Sequence, residues 1–242
     1  MTKPVILIPA RMESARFPGK PLAPILHIPL VIRCANNAIS SGLDTYVCTD
    51  SQLILDACKS FSIPSIKTPE FSTGTDRVHW SSQQLNFDLI INLQGDEPLI
   101  KPQAIKTFSD QLEHSNQQDN FISNGLTSLD QTHAFDPNNV KAIQDNNSRI
   151  IYLSRKPLRN SNDSNKFPIY LKQLGLYGFT KASLNKFSNL NQSRLELTES
   201  IEMLRWIEEG MNLNGNILDT PSISVDTPED LAEVESILRN YV

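Results

Sequence analysis

Short apolar runs alternate with longer stretches of helical periodicity through the first half of this 242-residue chain. Residues 5–8 (Val-Ile-Leu-Ile) read as a first strand, apolar at every position, as a strand covered on both faces should be. The pattern then predicts a helix over 30–41, a strand at 45–49, a helix at 52–60 and a short strand at 65–67. A helix at 76–85, a strand at 88–93 and a helix from Pro102 to residue 113 follow, with proline suited to that first turn. This β-α alternation predicts a Rossmann-like α/β fold, a mostly parallel sheet wound right-handed with helices on both faces. The second half changes character. Strand-like runs at 121–126, 140–144, 149–153 and 172–179 surround a polar Asn/Ser loop at 160–166, expected to be mobile. A long helix over 195–210, with Leu197, Ile201, Leu204 and Ile207 on one stripe, precedes a final helix over 228–240. The expectation is one domain over 1–242, with a smaller sheet-and-helix lobe inserted at about 130–212.

Sheets of this kind bind ligands beyond the carboxyl ends of their strands, and two segments fall there by position. The first is Pro9-Ala10-Arg11-Met12-Glu13-Ser14-Ala15-Arg16-Phe17-Pro18-Gly19-Lys20-Pro21-Leu22. Its prolines and glycine keep it irregular. Arginine forks suit phosphate oxygens and lysine adds a point charge. Arg11, Arg16 and Lys20 therefore make either a solvated basic loop or a cradle for a polyanion such as a nucleoside triphosphate. The second is Gln94-Gly95-Asp96-Glu97-Pro98. Asp96 and the distant Asp226 are the oxygen donors that Mg²⁺ takes, one or two carboxylates completed by phosphates and water. Asp226 could instead cap the last helix. Thr73-Gly74-Thr75 can present amides and hydroxyls to a base or ribose, or Thr75 can cap a helix in front of Asp76.

Composition narrows the classes. Lys and Arg number 22 against 27 Asp and Glu, a net charge of −5, which argues against nucleic acid as the main partner. A basic loop in an acidic protein fits a small anionic ligand better. No apolar run reaches the twenty or so residues of a membrane helix, and no leader is evident, so a cytoplasmic protein is expected. Cys34, Cys48 and Cys58 are odd in number, lack metal spacing and read as reduced core residues. The histidines suggest no metal site, and no Ser/His/Asp or Cys/His set is evident. Trp80 and Trp206 read as core or interface residues.

The ordered motifs carry more. Ile8-Pro9-Ala10-Arg11 through Ser14, Arg16 and Pro18-Gly19-Lys20-Pro21-Leu22 is followed by Thr73-Gly74-Thr75-Asp76-Arg77, Leu93-Gln94-Gly95-Asp96-Glu97-Pro98 and Asp136-Pro137-Asn138-Asn139-Val140-Lys141. Tyr152-Leu153-Ser154-Arg155, Leu174-Gly175-Leu176-Tyr177-Gly178-Phe179 and Val225-Asp226-Thr227-Pro228-Glu229-Asp230-Leu231 complete the series. No Walker or Rossmann glycine motif occurs. The series resembles the CMP-KDO synthetases, which activate 3-deoxy-manno-octulosonate, over about residues 5–238. The resemblance implies CTP and a 3-deoxy-ulosonic acid as substrates, Mg²⁺ on Asp96 and Asp226, and catalysis by Arg11, Lys20, Asp96 and Asp226. It places the nucleotide on Ala10, Arg11, Ser14, Arg16, Lys20, Thr73, Gly74, Arg77 and Gln94. It places the sugar on Arg155, Gln173, Tyr177, Glu202 and Met203. A homodimer through the inserted lobe and a product feeding lipopolysaccharide or capsule synthesis are implied as well.

Two departures bear on the sugar. Relatives mostly carry histidine at Gln173, and glutamine at Met203. Losing two hydrogen-bonding groups in one pocket would alter the sugar accepted, for instance to an amino-substituted octulosonate. Glu97 and Lys141 are read as salt-bridge or helix-end charges, and Glu199 as a solvated charge or a partner of Arg205 or Lys186. Two alternatives stay open: a synthetase for CMP-sialic or another nonulosonic acid, and a nucleotide-sugar-binding protein without activity.

Overall fold

The computed structural model describes residues 3–14, 16–115, 121–157 and 170–240; the Asn/Ser loop at 160–166 lies outside them. The first half follows the apolar pattern closely. Strands β1 (Val5–Pro9), β4 (Thr45–Thr49), β5 (Ser65–Lys67) and β6 (Leu89–Leu93) run parallel, in the order β6-β1-β4-β5. Between β1 and β4 come a 3-10 turn (Lys20–Leu22) and a small hairpin of β2 (Pro24–Ile25) and β3 (Ile28–Pro29). Helices α1 (Leu30–Ser40), α2 (Gln52–Ser60), α3 (Gly74–Ser82) and α4 (Pro102–Ser115) connect the strands.

Successive side chains of β1 leave opposite faces, and each face has its own core. Ile6 and Ile8 pack with Ile32 and Ala35 of α1, Ile54 of α2 and Phe108 of α4. Val5 and Leu7 pack with Val78 of α3 and with Leu184, Phe187 and Trp206. A third cluster joins Leu30 and Cys34 to Val225 and Val234. The three cysteines are buried and free.

The strand-rich second half continues the same sheet. β7 (Ile122–Leu129), β10 (Tyr170–Thr180) and β11 (Leu213–Ile217) extend it to β11-β7-β10-β6-β1-β4-β5, β10 being antiparallel to both neighbours. β8 (Lys141–Gln144) and β9 (Ile150–Ser154) form an antiparallel branch off β10. So the segment 130–212 supplies a strand at the heart of the sheet as well as the branch that overhangs its carboxyl edge. The sequence reading lacked the 3-10 turn, the β2–β3 hairpin, α5 (Lys181–Ser188), capped by Thr180, and β11.

The long helix expected over 195–210 is broken. α6 (Arg194–Glu199) opens on a Ser193/Glu196 capping box and stops at Ser200, whose φ of 54° is left-handed. α7 (Leu204–Glu208) starts afresh. The expected stripe divides accordingly. Leu204 and Ile201 are buried in the core, while Leu197 remains 63% exposed. α8 (Pro228–Arg239) closes the chain, with Thr227 and Asp230 forming its capping box. Among the described residues no helix is long and apolar enough to cross a membrane.

Candidate active site

A cavity of about 820 Å³ opens at the carboxyl edge of the parallel strands, roofed by the 136–155 branch and by α6. Its floor is built by three loops. The loop after β1 brings Ala10, Arg11, Ser14, Arg16 and Lys20; the loop after β6 brings Gln94 and Asp96; the segment before α8 brings Asp226. Gly95 allows the first two loops to touch, because a Cβ there would lie 3.2 Å from the Pro9 carbonyl oxygen.

The two aspartates, 130 positions apart in the chain, meet on one ammonium. Lys20 Nζ donates to Asp96 Oδ2 at 2.8 Å and to Asp226 Oδ1 at 3.2 Å. Burial pulls the Lys20 pKa down, but the attraction of Asp96 and then Asp226 outweighs it and leaves the pKa above the usual lysine value. The cation that reconciles the two carboxylates is thus a lysine of the basic loop itself. Arg16 adds a 3.0 Å contact to Asp226 Oδ2 and donates to Asn138 Oδ1 at 3.3 Å. Arg11 is exposed and donates to the Ser72 carbonyl at 3.2 Å. Asp226 does not cap α8; that hydroxyl belongs to Thr227, which leaves the Asp226 carboxylate free to face the cavity.

Backbone and a buried carboxylate hold this pair in place. The Val225 amide donates to the Asp96 carbonyl at 2.9 Å. Glu97 is 3% exposed and accepts from Ser224 Oγ at 2.7 Å, Ser222 Oγ at 3.0 Å and the Gly175 amide at 3.0 Å. It therefore ties the loop after β6 to β10 and to the segment carrying Asp226, a role that a surface salt-bridge reading misses. Burial raises its pKa. Among the described residues no group of three or more acidic, histidine or cysteine side chains could hold a metal. Two carboxylates fit Mg²⁺ nonetheless, since that ion keeps waters and takes phosphate oxygens to complete its shell.

Of the residues expected at the nucleotide, Thr73 caps α3, accepting from the Asp76 amide at 3.1 Å. Thr75 instead donates to Glu202 Oε2 at 2.5 Å, joining this loop to the segment after α6. Thr73, Gly74, Arg77 and Gln94 all border the cavity. The Arg77 guanidinium is already engaged: it pairs with Asp50 at 2.8 Å, donates to Thr68 Oγ1 and lies 5.9 Å from the Phe71 ring. Gln94 Nε2 donates to Asn92 Oδ1 at 2.9 Å.

Of the residues expected at the sugar, Arg155, Gln173, Tyr177 and Glu202 line the cavity. Burial raises the Tyr177 pKa, with Glu202 adding to it. Arg155 spends its guanidinium on carbonyl oxygens: those of Glu199 at 3.0 Å, Ser200 at 3.0 Å and Pro137 at 3.1 Å. It thereby fastens the broken end of α6 to the branch. Glu199 is not a partner of Arg205 or Lys186; it accepts from the Arg155 amide at 3.2 Å and from the Ser154 and Tyr152 hydroxyls. Buried Lys141 donates to the Asp136, Asn139 and Arg155 carbonyls. Met203 is the correction here. The break at Ser200 turns its side chain away from the cavity into the core of Leu204 and Trp206, at 1% exposure. Of the two departures, only Gln173 borders the cavity.

A family model described as cytidylyltransferase matches residues 5–213. The chain belongs to the cytidylyltransferase family. This cytidylyltransferase is 39% identical over 239 residues to the 8-amino-3,8-dideoxy-manno-octulosonate cytidylyltransferase of Shewanella frigidimarina, covering 96% of this chain and 97% of that one. It is 37% identical over 240 residues to the 3-deoxy-manno-octulosonate cytidylyltransferase of Chloroherpeton thalassium, covering 98% of each. Among solved structures it superposes on CMP:2-keto-3-deoxy-manno-octonic acid synthetase complexed with CTP, with a TM-score of 0.90, 30% identity and full coverage of both chains. A cytidylyltransferase from Leptospira borgpetersenii, 17% identical at a TM-score of 0.68, shares the fold.

Proposed function

We propose that this cytidylyltransferase transfers CMP from CTP to the anomeric hydroxyl of a 3-deoxy-octulosonic acid, releasing pyrophosphate. The observation that carries the reading is the pair Asp96 and Asp226 gathered on Lys20 at a cavity wall that also presents Arg11 and Arg16. The hydroxyl oxygen attacks the α-phosphorus and gives up its proton to solvent, the bond from the α-phosphorus to the bridging oxygen breaks, and pyrophosphate leaves on the far side with that oxygen. Arg11 and Arg16, both exposed to the cavity, offer guanidinium forks to the phosphates and offset charge on the departing group. Asp96 and Asp226 would hold Mg²⁺, which when bound supplies Lewis-acid activation of the attacking hydroxyl and the α-phosphate. Lys20 would then be released from one or both carboxylates to meet phosphate oxygen. Tyr177 and Glu202 orient the acid, and Arg155 shapes the wall against which it rests.

The product would enter lipopolysaccharide or capsule synthesis in the cytoplasm. A homodimer through the 130–212 segment is supported by exposed Phe135 and Ile151 there, and light scattering at micromolar concentration tests it. The reaction itself is tested by pyrophosphate release from CTP with and without the octulosonic acid. Release that needs the acid and disappears with a chelator is the expected result. CTP binding without any turnover would instead favour a nucleotide-sugar-binding protein, and turnover only with a nonulosonic acid would move the substrate to the sialic class.

A further inference from the structure

The sugar end of the cavity presents hydrogen-bond acceptors, and one of them is locked by its neighbours. Asn124, fully buried in β7, points its amide nitrogen at the carbonyls of Leu174 (3.0 Å), Leu176 (3.1 Å) and Gly125 (3.2 Å). Carbonyls only accept, so the Asn124 NH₂ must face them and its Oδ1 must face the other way. Gln173 Nε2 donates to that oxygen at 2.7 Å. The orientation of the Gln173 amide is thereby fixed, with its NH₂ turned inward. Gln173 Oε1 takes no hydrogen bond among the described residues and is the atom left for whatever fills the cavity.

Glu202 has the same character. One of its oxygens accepts from Thr75. Arg205, a cation that could neutralise it, is held by both oxygens of Glu196 at 2.6 and 2.8 Å. Glu202 thus has no ion-pair partner among the described residues, and burial raises its pKa. A carboxylate that Arg205 influences only from a distance and an amide oxygen without a donor, both among the described residues, border one pocket.

The two relatives above differ in a single substituent of the sugar each is named for, an amine or a hydroxyl at C8. A hydroxyl carries one donor and also needs donors for its lone pairs. A protonated amine carries three donors, a positive charge and no acceptor. A neutral histidine offers a donor on one ring nitrogen and an acceptor on the other, so it can serve a hydroxyl either way. The locked Gln173 offers only the acceptor. We infer that Gln173, with Glu202, makes this chain selective for a 3-deoxy-octulosonic acid bearing a protonated amine over its hydroxyl counterpart, an inference that rests on the proposed reaction.

The test measures kcat/KM for pyrophosphate release with saturating CTP and Mg²⁺, using the 8-amino and the 8-hydroxy acids separately. The wild-type chain favours the amino acid sugar by about tenfold or more, because a buried acceptor left unmatched discriminates strongly. Gln173→His narrows that ratio by about fivefold or more, and Gln173→Leu lowers the amino-sugar value while changing the hydroxy-sugar value less. Equal use of both sugars by the wild type, preference for the hydroxy sugar, or a ratio that Gln173→His leaves unmoved overturns the inference and leaves the reaction standing. No pyrophosphate from either acid overturns the reaction itself. The wild-type ratio decides even where a Gln173 variant fails to fold.

Discussion

At the scale of single residues, the site depends on carboxylates with unlike surroundings. Asp96 and Asp226 share an ammonium and stay partly open to the cavity. Glu97, one position along, is closed off and serves as an anchor for Ser222, Ser224 and Gly175. Removing an open carboxylate should leave the fold and the nucleotide contacts in place. Asp96→Ala is expected to lower kcat by about a hundredfold or more, the scale of losing one electrostatic contact in a transition state. CTP should still bind, as calorimetry in the absence of turnover would record. Glu97→Gln acts indirectly. It places an NH₂ among three donors, so the segment bearing Asp226 should shift relative to Asp96. The expected readout is weaker calorimetric binding of Mg²⁺ in the presence of CTP, by about tenfold, with secondary structure unchanged by circular dichroism.

At the scale of elements, caps and close approaches aim the loops. Thr227 accepts from the Asp230 amide at 3.3 Å, and Asp230 Oδ2 returns to the amides of Asp226 and Thr227 at 2.9 and 2.8 Å. This box both starts α8 and fixes the backbone of Asp226. Thr227→Ala should cost about 1 kcal/mol and lower Tm by about 2–4 °C in a scanning calorimeter. Gly175 sits where β10 shifts register against β7 between Gln173 and Tyr177. A Cβ there would lie 2.9 Å from both Cβ and Cγ of Gln94 and 3.0 Å from Cγ of Glu97. Gly175→Ala should therefore depress activity more than stability, seen as reduced kcat/KM in a protein whose Tm falls only a few degrees.

At the scale of the whole molecule, α6 and α7 form a folded-back corner joined by a buried ion pair. Arg205 meets both oxygens of Glu196, and the Arg205 pKa is raised by that hydrogen bonding. Removing one partner strands the other charge. Glu196→Gln should destabilise the chain by about 3 kcal/mol in urea unfolding. A double change of both residues to apolar ones of similar volume should recover much of that loss. The corner carries Glu202 against Thr75, so the same variant should weaken binding of the acid while CTP contacts on the far wall persist.

Much of this protein is fixed by the order of its residues. Strands such as β1 and β6 are legible because a strand covered on both faces must be apolar throughout, and the basic loop and Asp96 sit at a strand end wherever such a sheet forms. Helix capping near Asp226 and the proline-rich turns are equally local. The break at Ser200 was not legible: the apolar period runs through it, and the carbonyls at the end of α6 are taken by Arg155, far off in the chain, instead of by a further helical turn. That break sends Met203 into the core and Glu202 to the cavity, a choice between neighbours that periodicity does not make. The Lys20 bridge and the orientation of the Gln173 amide belong to tertiary structure for the same reason. Each arises from groups far apart in the chain whose hydrogen-bonding capacity is settled only by what surrounds them.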